Sequence, residues 1–373
     1  MKFTVETKEL LKGLFVKNVI SNNASMPILK TFKLTCNDEG LEFTGSDGDI
    51  TMTSFVPRVI KETEIVEINR PGSILLPSLF NDIAKKLPGE KTTIEVSDNN
   101  IVSIKSKKSR FTLNGIDAEE YPRNQFKEDA APLVFTGAEL SSIFNQTLFA
   151  ASDNSTRPSL AGINMVLESD RLLIQATDSY RFARKDSPFA KPVAPFNIII
   201  PKKTMKELLK VMDTEDKEVE IHINDNQILF KTEKVLMYSR LLEGKFPNVS
   251  QLIPTLHNTV LQIDKMKFNQ AIERATVLEE AGKSIVKFVI SPSSLVIDSN
   301  QIGIGKLTEE IEIQSFEGDE LTISFNGKYL KEAFKSFKGD IITIKLNGPM
   351  KPAVLLDSVD ENYLQLILPI RTY

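Results

Sequence analysis

The 373-residue chain has no tryptophan, one cysteine and two histidines. A single cysteine excludes an intrachain disulfide, so burial and hydrogen bonding must hold the fold, and a cytoplasmic location is expected. Cys36, His222 and His257 form no cluster with metal-ligand spacing, and no metal or cofactor is expected. No apolar run approaches the roughly 18 residues of a membrane span. Met1–Val5 lacks the apolar core of a secretory signal and reads as a strand, so the Asn-x-Ser/Thr triplets at Asn23, Asn154 and Asn248 are chance matches. Gly303-Ile-Gly305-Lys306 lacks the spacing of a phosphate loop and reads as a turn. Asp47 with Asp49, and Asp178, are carboxylates without a neighbouring catalytic group, so no enzyme is expected. Cys36, in phase with Phe32 and Leu34, reads as a small buried hydrophobe. His222, between an inward Ile221 and Ile223, reads as a surface residue.

What is present is repetition. Three segments share a strand, an amphipathic helix and a run of strands: Phe3–Val5 with Thr7–Phe15, Leu133–Phe135 with Gly137–Phe144, and Val260–Ile263 with Lys267–Ala275. Met26-Pro-Ile-Leu29 matches Arg157-Pro-Ser-Leu160, and Gly45-Ser-Asp47 matches Ala176-Thr-Asp178; the third copy lacks these local matches. Each segment contains a second half of the same kind, with helices expected at Pro77–Leu87, Pro201–Met212 and Gly327–Phe337. Pro77 and Pro201 fall near the first helical turn, where a missing N–H costs nothing. Alternation in Phe32–Cys36 and Glu220–Asn224 indicates half-buried antiparallel strands. Leu79, Ile83 and Leu87 on one helix, and Met205, Leu208, Leu209 and Met212 on another, supply covering stripes. The expected fold is α+β: three tandem similar domains, 1–124, 125–251 and 252–373, each of two helix-plus-antiparallel-strands units.

The net charge is −4, from 46 basic and 50 acidic residues. Local distribution matters more to nucleic acid than this total. Lys202, Lys203, Lys206 and Lys210 share one helix side, as do Lys328, Lys331, Lys335 and Lys338, opposite Tyr329, Leu330, Phe334 and Phe337. Lys8 with Lys12, and Lys85 with Lys86, do so more weakly. A single lysine face is ordinarily just solvated; its recurrence at equivalent repeat positions points to a shared basic surface. Lysines without interleaved aromatics contact phosphates and not bases, which gives sequence-independent, salt-sensitive binding to duplex DNA. Three sheet-bearing domains in a row leave an exposed edge at each end, which head-to-tail association would close into a ring. An interaction scaffold without DNA encirclement, and a hydrolase or transferase using Asp47 or Asp178, are the alternative readings.

Met1-Lys-Phe-Thr-Val5, Met26-Pro-Ile-Leu29, Gly45-Ser-Asp47, Ala176-Thr-Asp-Ser-Tyr-Arg-Phe-Ala183, Ser239-Arg-Leu-Leu-Glu-Gly-Lys-Phe-Pro247 and Gln365-Leu-Ile-Leu-Pro-Ile-Arg371 together resemble the bacterial sliding clamps, the beta subunit of the replicative DNA polymerase. The resemblance spans the whole chain. It implies the DNA clamp fold, with each chain forming half of a ring: a head-to-tail homodimer around duplex DNA, a processivity clamp without catalysis of its own. It implies as partners a clamp loader, the replicative polymerase alpha subunit, translesion polymerases and mismatch-repair proteins. These would dock peptides between the second and third domains against Leu160, Thr177, Ser179, Tyr180, Arg181, Phe182, Pro247, Leu252, Leu368, Pro369, Ile370 and Arg371, with Arg181 and Arg371 anchoring acidic groups at the rim. Lys202 and Lys203 match a DNA-facing basic pair, and the protomer interface would join Arg110, Phe111 and Leu113 to Val277 and Leu278 of the other chain. Tyr180 stands where the family usually has histidine and Gln251 where some members have arginine. The loop Ser21–Ser25 lacks an arginine that many relatives turn toward DNA.

Overall fold

The computed structural model describes residues 1–371 apart from 21–25, 123–125, 128–130, 155, 190–192, 279–283 and 302. The loop at 21–25, with its triplet at Asn23, lies outside the described residues. Six α-helices are present among those described: α1 Thr7–Gly13, α2 Leu79–Ala84, α3 Gly137–Thr147, α4 Lys202–Val211, α5 Lys265–Ala275 and α6 Gly327–Lys335. Each follows a strand directly or after one residue, and at three of them a side chain at the junction satisfies a first free N–H group of the helix. Asp264 accepts from Lys267 N and Asn326 from Lys328 N. Thr136 and Glu139 cap each other's backbone N–H reciprocally at α3.

Each helix is followed by three antiparallel strands, and the pairing exchanges the two halves of every repeat. Strand Lys2–Glu6 pairs on one side with Lys91–Val96 of the second half, Phe3 opposite Ile94, and on the other with Val66–Arg70, Phe3 opposite Ile68. Gly72–Pro77 pairs back onto Thr31–Asn37, Leu34 opposite Ile74. The central repeat does the same, with Leu133 opposite Ile221 and Ile163 opposite Ile200. The third repeats it with Leu261 opposite Ile344 and Val286 opposite Phe325. Identical exchange in three successive segments makes them copies of one topology, even where the third has lost local sequence matches.

The chain packs as two compact units, Met1–Glu139 with Lys203–Leu241, and Leu140–Lys202 with Leu242–Tyr373. They cut across the three repeats because the sheets do not stop at repeat boundaries. Within the first unit, Ile50–Pro57 of repeat one pairs with Val235–Arg240 of repeat two, Met52 opposite Met237. Within the second, Arg181–Pro188 pairs with Tyr363–Ile367, Phe182 opposite Leu366.

Several local expectations need correction. Pro77 and Pro201 end the preceding strands rather than opening helices. In α2 the buried apolar side chains are Phe80, Ile83 and Ala84; of the expected stripe Ile83 is buried, Leu79 is exposed at the first helical position, and Leu87 lies beyond the helix end. His222 is buried, its Nε2 2.9 Å from Glu220 Oε2, which also accepts from Lys231 Nζ at 3.0 Å. Those two bonds hold the Glu220 carboxyl below its usual range. Strand alternation placed His222 outward but could not show that this face is covered too. Cys36 is buried and unpaired, and burial pushes its thiol up to about 11.

Repeats two and three are also joined by a polar network. Lys185 Nζ donates to Asp360, Gln146 Nε2 donates to Asp360 Oδ2 at 3.0 Å, and Ser336 and Gln365 meet the buried Tyr363 hydroxyl at 2.7 Å each. Burial opposes ionisation of Asp360, but the bonds from Lys185 and Gln146 outweigh it and hold the carboxyl below its usual range. The resulting stabilisation is present above the unfolded carboxylate pKa of about 4 and is lost as pH falls through the lower folded value. Asp360→Asn leaves a mostly buried ammonium without its counter-charge, so a loss of about 1–3 kcal/mol is expected at pH 7. Thermal melts of the variant and the parent chain should converge as pH drops below about 4; a constant gap from pH 7 to 3 would refute the coupling.

Candidate functional site

The matched Ser/Thr-Asp motifs build one turn twice. Asp47 Oδ1 accepts from Asp49 N at 2.9 Å and Ile50 N at 2.7 Å; Asp178 Oδ1 accepts from Tyr180 N at 2.9 Å and Arg181 N at 3.0 Å. Ser46 Oγ donates to Ile50 O and Thr177 Oγ1 to Arg181 O. Both aspartates are engaged in local structure, as expected of turn residues and not of a catalytic pair. The residue two before the following strand has positive φ in both, Gly48 at 100° and Ser179 at 78°. Gly303 at 81° holds the same place before Gly305, so the glycine-rich segment is the third copy of this turn. Each turn launches an eight-residue strand: Ile50–Pro57, Arg181–Pro188 and Gly305–Glu312.

At the second of these strands lies a cleft of about 650 Å³. Its floor is Phe182, Val249 and Leu366, buried and continuous with Val354, and its rim carries Leu252 at 63% exposure, Leu256 at 73% and Leu368 at 40%. Three leucines open to water around a buried apolar floor make this the candidate binding surface. At the equivalent junction of repeats one and two, Thr51 and Tyr238 take the floor positions, and the Phe126 ring lies 5.8 Å from Tyr238. An aromatic linker side chain packs there, whereas the second junction is left open.

Of the residues expected around this cleft, the structure brings together Thr177, Ser179, Arg181, Phe182, Pro247, Leu252 and Leu368. Leu160 is buried, and it, Pro369, Ile370 and Arg371 are not among the residues lining the cleft. Tyr180 points away and stacks on Tyr329, ring centroids 6.3 Å apart. Sequence reasoning missed Val249, Ile253, Leu256, Asn347, Lys351 and Leu366. Of these, only Leu366 had a signal, lying within the quoted terminal motif. Arg181 is not the acid anchor expected at the rim: it is 5% exposed and paired with Asp178 and Glu332. The Tyr329 ring lies 4.5 Å from its guanidinium carbon.

The lysine faces are also modified by their surroundings. Lys202 is buried, with Nζ on Ala151 O and Asp153, and so leaves the DNA-facing set. Its place at the start of α4 sends it back toward the preceding loop. Lys203 meets Asp47, and Lys210 meets Glu207 at 2.8 Å. Lys331 and Lys335 share Glu273 of α5 at 3.8 and 3.9 Å; Lys206, Lys328 and Lys335 are exposed. The faces are not lysine alone, but such exposed pairs are each worth only about 0–1 kcal/mol and yield readily to a phosphate.

The outermost strands of the described sheets include Ser109–Asn114, beside Ile101–Ser106, and Gly305–Glu312, beside Ser294–Gln301. Phe111 and Leu113 are half-buried on the first. On the second, Leu278 lies beside Gly305, and Val277 next to it is 78% exposed. Among the described residues no helix is long and apolar enough to cross a membrane, and no three acids, histidines or cysteines could hold a metal ion.

Family models for the DNA polymerase III beta subunit match all along the chain: the N-terminal domain over residues 1–125, the central domain over 135–248 and the C-terminal domain over 250–371. The curated "Beta sliding clamp" of Bacillus subtilis (strain 168) is 39% identical over 100% of both chains. The crystal structure of the DNA polymerase sliding clamp from Bacillus subtilis superposes with a TM-score of 0.95 at 39% identity, and that of the DNA polymerase III beta chain from Streptococcus pneumoniae with 0.93 at 34%, each covering 100% of both chains. Three tandem domains of mixed helix and antiparallel sheet, each built from two exchanged halves, define a protein of the clamp fold. The chain belongs to the DNA polymerase III beta-subunit family, the beta sliding clamps.

Proposed function

We propose that this chain is the replicative processivity clamp in the form of a head-to-tail homodimer, divided into domains at 1–124, 125–251 and 252–373. The ring encircles duplex DNA without sequence preference and has no catalysis of its own. Through the cleft it tethers the replicative polymerase alpha subunit, the clamp loader, translesion polymerases and mismatch-repair proteins. Lys203, Lys206, Lys210, Lys328, Lys331 and Lys335 contact phosphates, and each neutralised phosphate adds about 0.9 to the logarithmic salt slope.

The observation that carries the ring is the equivalence of the unpaired edges. At both internal junctions an eight-residue strand launched by the repeated turn pairs with the last strand of another repeat. The register is the same each time: first residue opposite fifth, Ile50 with Ser239 and Arg181 with Ile367. Gly305–Glu312 is the third such launched strand and Ser109–Asn114 the third such last strand. Within one chain they belong to the two ends of the repeat series, so a second chain completes the pattern. The same register sets Gly305 opposite Leu113, Leu307 opposite Phe111 and Glu310 opposite Lys108. It gathers Phe111, Leu113, Leu307 and Leu278 into one apolar cluster and places opposite charges together.

Thr112→Cys with Lys306→Cys is therefore expected to give a covalent dimer on mild oxidation, since directly opposed Cβ atoms lie about 4.5–5.5 Å apart. Arg110→Cys with Lys306→Cys is two residues out of register and is expected to cross-link far less. Cys36 is buried and does not compete. Equal cross-linking of both pairs, or of neither, would remove the basis for this interface.

A further inference from the structure

Among the described residues the cleft wall contains two ionisable side chains, Arg181 and Lys351, and no carboxylate. The charge of Arg181 is satisfied within the protein by Asp178 and Glu332, under the ring of Tyr329. Lys351 differs in each respect. It is exposed, sits on the turn between Ile341–Leu346 and Ala353–Asp357, and makes no ion pair with the described residues. Asn347 and Pro352 flank it, and Leu252, Thr255 and Leu256 complete the lining. An acidic chain thus presents a cleft whose one uncompensated charge among the described residues is positive.

We propose that Lys351 is a specificity-determining residue that selects an acidic side chain in the segment docked in the cleft. The inference rests on the peptide-docking reading and adds the charge of the occupant to it. The apolar floor supplies affinity to any aliphatic or aromatic anchor and cannot distinguish a neighbouring aspartate from an asparagine. The ammonium can, because no carboxylate on the wall cancels its field and the low-dielectric floor beneath lessens screening on one side. Its exposure limits the discrimination to what a solvent-accessible pair supplies. That is roughly a two- to fivefold difference in Kd at low ionic strength, and the difference should fade near 0.5 M salt, where the Debye length falls to about 4 Å.

The test uses the full chain and capped synthetic hexapeptides that carry a Leu-Phe pair and either Asp or Asn at each other position in turn. The expected result is one position at which Asp binds more tightly than Asn in low salt, with the preference erased by Lys351→Gln and reversed by Lys351→Glu. Lys287→Gln, on an exposed strand position outside the cleft, should retain the preference. Lys351 is exposed on a turn, so these substitutions leave the fold intact, which circular dichroism checks. If the peptides bind but show no Asp preference, or Lys351→Gln preserves it, the specificity assignment is overturned while the cleft stands. If no peptide binds, the docking reading falls and takes this inference with it.

Discussion

Deleting residues 368–373 is expected to weaken binding of a capped Leu-Phe peptide about a hundredfold, with the melting temperature of the protein little changed. Leu368 is a partly exposed wall of the cleft held by one main-chain bond, Leu368 N to Tyr180 O at 2.9 Å, and the tail beyond it by another, Ile370 N to Ser324 O at 2.7 Å. Strand Tyr363–Ile367 remains paired on both sides without the tail, so the floor residue Leu366 stays in place. Removing one central apolar anchor wall costs about 3 kcal/mol of binding, which is the hundredfold expected. Leu368→Ala should lie between, at roughly tenfold, since main-chain bonding survives. Unchanged affinity in the truncated chain, measured by fluorescence anisotropy, would show that peptides dock elsewhere.

Phe111→Lys is expected to abolish the proposed head-to-tail dimer and leave monomer at micromolar concentration. Phe111 is half-buried on a free edge in one chain, so the monomer tolerates the change, but opposite Leu307 the ammonium would be enclosed among Leu113 and Leu278 without a counter-charge. Several kcal/mol of uncompensated burial would raise the dimer Kd by at least about a thousandfold. Sedimentation reads the mass, and the retention on closed circular DNA that the proposed ring predicts for the parent chain should disappear altogether. Peptide binding should persist, because the cleft is built within one compact unit of one chain. A variant that stays dimeric at that concentration would place the interface on other strands.

The repeats were legible because hydrophobic period and turn chemistry are local. The alternation of Phe32, Leu34 and Cys36, the stripe of Met205, Leu208 and Met212, and the paired Ser46-Asp47 and Thr177-Asp178 motifs all lie within a few residues of what they organise. Errors occurred at helix ends, where period alone does not say what covers a side chain, as with the exposed Leu79 beside the buried Phe80. The site was less legible because its parts come from separate segments. Leu366 becomes a floor residue only through pairing with Phe182, 184 positions earlier, and Lys351 joins the wall from the turn between two other strands.

By itself the sequence determined the six helix-and-strand halves, their tandem order, the lysine-bearing helices and, through its motifs, the family. Tertiary structure alone decided which halves exchange strands, which strand edges are left unpaired, and which charges survive as charges. Arg181 and Lys202 read from sequence as available cations and are consumed by Glu332, Asp178, Ala151 and Asp153, while Lys351, unremarkable in sequence, remains unpaired among the described residues. The reason is range: periodicity and turns act over a few residues, whereas pairing, burial and neutralisation depend on what folding brings alongside from far along the chain.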